Sequence, residues 1–415
     1  MHSIQHSAAG LVSKDRLWSR LMAMSEIGKV GSCGVNRQAF TEEDIQARRL
    51  LAQWGRALGL ASFHDQIGNL FLRMEGADAG AAPLLVGSHL DSQPSGGRFD
   101  GVYGVLAGLE AVEAILASGV RPSRPIEVVA WSNEEGGRFS PGGMGSQVFA
   151  GVHTLESFLE VRDAQQVSVR AALSNVLRSL PEIALRQQGP LPAAYLEAHI
   201  EQGPCLEQAD LPVGVVTAIQ GCQWLEINVN GEAAHAGTTP MSIRRDALFE
   251  AMQMAAQLRE RALSLAPECR VTIGRLNVEP NTPNTVPSRV VFTVDFRHPD
   301  PVVFASTADA LLASCKSQRC DVQVTELLRH APVAFAEEIV STVDRAGQEL
   351  NCARLRLTSG AFHDALFLAR CCPVGMVFAR CRDGISHNPK EYSSPEDLEA
   401  ATRVLTRTIE RMTSS

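Results

Sequence analysis

Residues Leu84-Leu85-Val86-Gly87-Ser88-His89-Leu90-Asp91 form an apolar run that stops at a histidine and an aspartate two residues apart. A short uninterrupted run of this kind is the pattern of a strand buried on both faces, as in a parallel sheet. Asp100 follows in the glycine-rich Gly96-Gly97-Arg98-Phe99-Asp100-Gly101, and the pair Glu134-Glu135 in Ser132-Asn133-Glu134-Glu135-Gly136-Gly137. A strand that ends in His-x-Asp, followed by isolated carboxylates on glycine loops, is one way for a chain to build a metal site at the edge of a sheet.

Outward from this run, Glu42 to Leu58 reads as a helix with Thr41 as its N-cap and Gly59 as its stop. Gln66 to Met74 and Ile126 to Trp131 read as strands. Val102 to Ala117 reads as a helix packed through Val105, Leu109, Val112 and Leu116. The alternation predicts an α/β domain, a mixed central sheet flanked by helices. From residue 218 the rhythm changes to strand (Trp224 to Asn230), helix (Asp246 to Ala262), two strands (Val271 to Leu276, Arg289 to Arg297), helix (Val302 to Ser314) and strand (Val322 to Leu327). That order predicts a smaller inserted α+β sandwich, two helices on a four-stranded antiparallel sheet, over 218–329. Residues 1–217 and 330–415 make up the larger domain, with Val374 to Phe378 as a late buried strand.

The 415 residues are 45% hydrophobic and 20% charged, with a formal charge of -8. This is the composition of a globular protein, and it lacks the clustered Lys and Arg that a nucleic-acid partner requires. No apolar run approaches the roughly 18 residues of a membrane helix, and the N-terminus lacks the pattern of a secretion signal, so the expected compartment is the cytoplasm and no membrane partner is expected. The ten cysteines show no C-x-x-C spacing and are expected to be reduced and mostly in the core.

The chemistry rests on the combination of residues. Asp91 can hold the second imidazole nitrogen of His89, which fixes the tautomer of a ligand. Asp100 can bridge two cations. Glu134 and Glu135, adjacent in an extended loop, point in opposite directions, so one can ligate a metal while the other faces the water bound to it. That suits metal-assisted hydrolysis. Two more histidines stand in strand-to-loop contexts, His199 in Glu197-Ala198-His199-Ile200-Glu201-Gln202-Gly203-Pro204 and His387 in Gly384-Ile385-Ser386-His387-Asn388-Pro389.

Six segments together resemble one family: Gly87-Ser88-His89-Leu90-Asp91-Ser92, Phe99-Asp100-Gly101, Asn133-Glu134-Glu135-Gly136, His199-Ile200-Glu201-Gln202-Gly203-Pro204, Ala234-His235-Ala236-Gly237-Thr238-Thr239-Pro240 and Gly384-Ile385-Ser386-His387. The family is that of the binuclear-metal amidohydrolases in the clan of zinc aminopeptidases and aminoacylases. The branch is that of N-carbamoyl-L-amino-acid hydrolases, beta-ureidopropionases and allantoate amidohydrolases (hydantoinase/carbamoylase-type amidases). The resemblance implies that His89, Asp100 and His199 hold one divalent cation and Asp100, Glu135 and His387 the other. Zinc is the first expectation, with manganese, cobalt or nickel as alternatives. It further implies Glu134 as general base and acid, Asp91 behind His89, and His235 as oxyanion stabiliser serving the neighbouring subunit of a homodimer. Arg297 would be the clamp for the substrate carboxylate, a role suited to a guanidinium fork. Gln202, Asn284, Gly360, Ala361 and His363 would be substrate contacts.

The implied reaction is hydrolysis of the ureido C–N bond of a small N-carbamoyl amino acid, alpha or beta, to amino acid, CO2 and ammonia. Gln93-Pro94 after Ser92, and Gln220-Gly221-Cys222-Gln223-Trp224, look more like the carbamoylase and beta-ureidopropionase members than the allantoate enzymes. Allantoate amidohydrolysis is the first alternative and a metallo-dipeptidase or aminopeptidase the next. A non-catalytic binding protein is disfavoured because Glu134 and every expected ligand are present. The chain departs from the family pattern at Phe362, where glycine is usual, and at Ala379-Arg380-Cys381. Both departures bear on specificity, and a phenyl ring at 362 would narrow the pocket.

Overall fold

The computed structural model describes residues 7–186 and 191–414, which fall into two compact units, 1–217 with 335–415 and 218–334. In the larger unit, four neighbouring strands run parallel in the order Val374–Ala379, Ala194–Ile200, Leu84–His89 and Ile126–Trp131. All four are buried along their whole length, which explains why Leu84 to Ser88 and Val374 to Phe378 read as apolar runs and not as alternations. Antiparallel strands extend the sheet on both sides: Leu70–Met74 and then Ala61–His64 beyond Ile126–Trp131, and Val213–Ile219 beyond Val374–Ala379.

Helices Val102–Ser118, Glu337–Glu349 and Pro395–Thr413 pack on this sheet. The first carries the chain from the His89 strand to its parallel neighbour at Ile126. The strand on its other side, Ala194–Ile200, is reached only much later in the sequence. The His89 strand is therefore where the order of connection reverses, and such a point leaves a crevice at the carboxyl ends of the strands. His89, His199 and the loop bearing Glu134 and Glu135 all lie at those ends.

Two local readings differ from the structure. The strand expected from Gln66 begins at Leu70, because Asp65 Oδ1 accepts the N–H groups of Ile67 and Asn69 and bends residues 65–69 into a turn. Leu116 is 38% exposed, while Val102 to Ala114 is buried almost without interruption, so this helix has no single packed stripe.

The smaller unit follows the order strand, helix, strand, strand, helix, strand. Its sheet is antiparallel throughout, in the spatial order Arg270–Glu279, Arg289–His298, Gly221–Asn230 and Asp321–His330. Leu225, Ile227, Val229, Val290, Phe292, Val294 and Phe296 meet Ala251, Met254 and Leu258 of helix Ala247–Leu265 and Phe304, Ala308 and Leu311 of helix Pro301–Ser314. Asp246 and Asp300 cap the two helices by accepting their first free N–H groups. The described cysteines are all free, and six of them are buried.

One buried cation holds the turn after the His89 strand. Arg37, 1% exposed, donates from Nε to Leu90 O at 2.8 Å and from Nη1 to Met24 O and Ile27 O at 3.0 and 2.8 Å. Its backbone and Ser92 exchange two further bonds, Arg37 N to Ser92 Oγ and Ser92 N to Arg37 O, both 2.9 Å. Replacing Arg37 by alanine strands three carbonyls and opens a cavity. The expected cost is about 3–5 kcal/mol, measured as a lowered urea midpoint; a loss under about 1 kcal/mol would mean that the turn holds without it.

Candidate metal centre

Each putting-together of a charged side chain at this crevice has a local cause. His89 and His199 are the last or nearly last residues of buried strands and are 2% and 1% exposed. Each hydrogen-bonds through Nδ1 to a main-chain carbonyl at 2.9 Å, His89 to Asp91 O and His199 to Ile200 O. With Nδ1 so engaged, each Nε2 stands next to Asp100, and His199 Nε2 also accepts the Gly101 N–H at 3.1 Å. Asp100 Oδ1 stands 3.1 Å from His199 Nε2 and 3.6 Å from His89 Nε2, and its Oδ2 stands 3.3 Å from His387 Nε2. Glu135 Oε2 is also 3.3 Å from His387 Nε2.

Among the described residues, two donor groups capable of holding a metal ion result: His89 with Asp100 and His199, and Asp100 with Glu135 and His387. Asp100 belongs to both. The donors are imidazole nitrogen and carboxylate oxygen with no thiolate, a set that fits a borderline divalent cation such as zinc as well as manganese or cobalt. The backbone is shaped for it too. Gly101 has φ 65° and a Cβ there would lie 2.2 Å from the His89 ring, so the residue after Asp100 must be glycine for the ring to occupy its place.

Glu134 belongs to neither donor group. Its Oε2 lies 3.4 Å from His89 Nε2 and it is 6% exposed. Burial, with Asp364, Glu135 and Asp91 adding to it and His89 opposing, pushes its carboxyl well above the usual range. Burial and Asp100 push Glu135 up to about 7. The hydrogen bond to Asp100 raises His387 to about 9. Asp100 itself is held well below its ordinary value because its bonds to His199, His387 and His89 outweigh its burial.

Several expected residues take different positions from those foreseen. The Asp91 carboxylate stays 3.9 Å from His89 Nδ1. It is the main-chain carbonyl that holds the ring, while the carboxylate accepts the N–H groups of Glu134 and Glu135, each at 3.2 Å. The reason is the left-handed Asn133 (φ 53°), which turns those two amides toward it. Gln202, expected at the substrate, donates from Nε2 to Asp100 Oδ2 at 2.8 Å, and its buried Oε1 has no hydrogen-bond partner among the described residues. His363 is 1% exposed, bonded to Ser359 Oγ at 2.9 Å and set edge-on against the His199 ring at 4.5 Å. It props His199. Ala361 N–H is spent on Ser359 Oγ, next to Gly360. Phe362 lies edge-on to Phe367 at 5.3 Å, and both rings lie over Gly143, whose N–H donates to Glu134 O. Arg380, one of the departures from the family pattern, pairs with Asp210 and Asp397.

In the smaller unit, His235 is exposed, and its Nδ1 accepts the N–H groups of Gly237 and Thr238 at 3.1 and 3.2 Å. That leaves the ring proton on Nε2, as a donor. His235 pairs with Thr285 in a short ladder, and Asn284 O accepts Ala236 N–H beside it. Arg297 is gripped by Asp295 two residues earlier on its strand, through Nε at 3.0 Å and Nη2 at 2.9 Å.

The sequence reading missed Glu391, Ser386 and Gln93. Glu391 accepts the N–H groups of Phe99 and Asp100, Ser386 Oγ lies 3.0 Å from Asp100 Oδ2, and Gln93 donates to Glu135 Oε2 at 2.9 Å. Ser386 adjoins His387, a position that would have pointed to it; nothing near Glu391 in the sequence does.

The pattern of the M20/M25/M40 peptidase family matches residues 85–411. The chain belongs to that family. The family is metal-dependent. An N-carbamoyl-L-amino acid amidohydrolase of Geobacillus stearothermophilus is 42% identical over 406 residues that cover 96% of this chain and 98% of the relative. An allantoate amidohydrolase of Bacillus subtilis is 32% identical, covering 92% and 94%. The crystal structure of a hydantoinase/carbamoylase-family amidase from Burkholderia multivorans superposes with a TM-score of 0.88 at 41% identity, covering 97% and 98%. Within the M20 family, this chain falls in the hydantoinase/carbamoylase branch.

Gly101→Ala tests the cradle. The folded variant should bind divalent cation at least tenfold more weakly, read as metal per chain after chelator stripping and reconstitution, with circular dichroism to show the fold. Wild-type stoichiometry and affinity would mean that His89 does not depend on the close approach.

Proposed function

We propose that the protein hydrolyses the ureido C–N bond of N-carbamoyl-L-amino acids, releasing the amino acid, CO2 and ammonia. The observation that carries this reading is the pair of donor groups sharing Asp100, with the uncommitted carboxylate of Glu134 at their side. The names of the most similar relatives support the substrate class. His89, Asp100 and His199 would hold one cation and Asp100, Glu135 and His387 a second, zinc first and manganese, cobalt or nickel otherwise. Bound there, the cations supply Lewis acidity that brings the pKa of water toward neutrality.

Glu134 takes the proton of the attacking water and returns it to the departing nitrogen, work for which a carboxyl raised by burial is matched. His235 donates from Nε2 to the oxygen that becomes negative. Arg297 receives the substrate carboxylate, its guanidinium oriented by Asp295. Asn284, Gln202 (through Oε1), Gly360 and Ala361 line the substrate.

Residues 218–329 form the lid and dimerisation domain in this reading, with His235 serving the partner subunit of a homodimer. Exposed Phe249 and Met252 on one helix, and the largely exposed edge strand Arg270–Glu279, support a second copy there. The protein acts in the cytoplasm. No helix among the described residues is long and apolar enough to cross a membrane.

Allantoate is the second reading, favoured by the Bacillus subtilis relative. Ammonia release from N-carbamoyl-L-amino acids, N-carbamoyl-beta-alanine, allantoate and dipeptides separates the alternatives; the highest kcat/KM is expected for an N-carbamoyl-L-amino acid, and turnover of allantoate or dipeptides alone overturns the reading. Phe362→Gly should raise kcat/KM for large side chains over small ones by roughly tenfold, and an unchanged ranking would remove that ring from the pocket. Glu134→Ala and His235→Ala should each be inactive, and mixing them should restore activity through hybrid dimers. No recovery despite demonstrated subunit exchange would remove His235 from the partner's site.

A further inference from the structure

Glu391 lies 1% exposed in the loop after His387, and neither the reaction nor either donor group accounts for it. Its two oxygens have separate duties. Oε1 accepts the N–H groups of Phe99 and Asp100 at 2.9 and 3.1 Å, and Oε2 lies 2.9 Å from Ser386 Oγ. One side chain thus ties the loop carrying Asp100 to the loop carrying His387. The fit is close: a Cβ at Gly97 would stand 2.1 Å from Glu391 Oε1.

Ser386 makes this more than a brace. Its hydroxyl lies 3.0 Å from Asp100 Oδ2 as well as 2.9 Å from Glu391 Oε2, and it accepts from Gln202 Nε2 at 3.1 Å. A hydroxyl has one proton to give. Gln202 Nε2 already donates to Asp100 Oδ2 at 2.8 Å, so if Ser386 gives its proton to Glu391 the second lone pair of that oxygen stays free, and if it gives it to Asp100 both are occupied.

We infer that Glu391 is a positioning residue for the Asp100–Glu135–His387 group: it fixes the separation of the Asp100 and His387 loops, and by taking the Ser386 proton it leaves Asp100 Oδ2 open to a cation. The inference rests on the two-cation reading. The substitution Glu391→Gln separates its parts. A glutamine can keep its oxygen on the Phe99 and Asp100 N–H groups, but its NH2 must donate to Ser386, which turns the serine proton onto Asp100. A bracing role alone would leave Glu391→Gln like wild type.

The test is titration of chelator-stripped, full-length protein with cobalt(II), followed by calorimetry and visible absorption. Wild type should bind two cations per chain. Glu391→Gln should bind the first as wild type does and the second at least tenfold more weakly, with the melting temperature of the cation-free protein unchanged. Glu391→Ala should lose the second cation altogether. A Glu391→Gln protein with wild-type affinity for both cations overturns this inference alone. A wild type that binds one cation overturns the two-cation reading, and this inference with it.

Discussion

Five carboxylates, Asp91, Asp100, Glu134, Glu135 and Glu391, are drawn into one largely buried place with three imidazoles, and the rest of the larger unit is arranged to make that tolerable. Charges of one sign removed from water destabilise a fold by far more than a typical hydrogen bond returns. Four of the five therefore have hydrogen-bond donors of their own, and Glu134 has His89 Nε2 at 3.4 Å. Asp91 takes the amides of Glu134 and Glu135, Glu391 takes those of Phe99 and Asp100, and Gln93 and Gln202 donate to Glu135 and Asp100.

The sheet makes such an assembly feasible. Four adjacent parallel strands end on the same side, so groups far apart in sequence reach one edge without long unsupported loops. The backbone around the edge is then fixed by side chains that never meet a substrate. Arg37 grips the carbonyl between His89 and Asp91, and Glu197 joins Ser88 Oγ at 2.7 Å to Ala365 N–H at 3.0 Å, linking the His89 strand to the segment that carries His363.

The apolar run ending at His89, the alternation of Trp224 to Asn230 and the helices of the smaller unit were legible in the sequence because each depends on residues close together along the chain. Strand-end histidines and glycine-flanked carboxylates carry a local signature that marks them as candidates, but their division into two donor groups came from the family resemblance. The supporting bonds were not. That Asp91 holds amides while its carbonyl holds His89 depends on the left-handed turn at Asn133. Glu391 meets residues about 290 positions away, and no periodicity or spacing encodes such a meeting. His363, in a segment assigned by resemblance to the substrate, is enclosed because its ring packs between His199 and Phe378 of two neighbouring strands.

The two donor groups are unequally sheltered. His89, Asp100 and His199 are all buried, whereas the His387 side chain is 51% exposed. An ion held by the inner group would be enclosed by packed protein, whereas one held by the outer group would face water past the His387 ring.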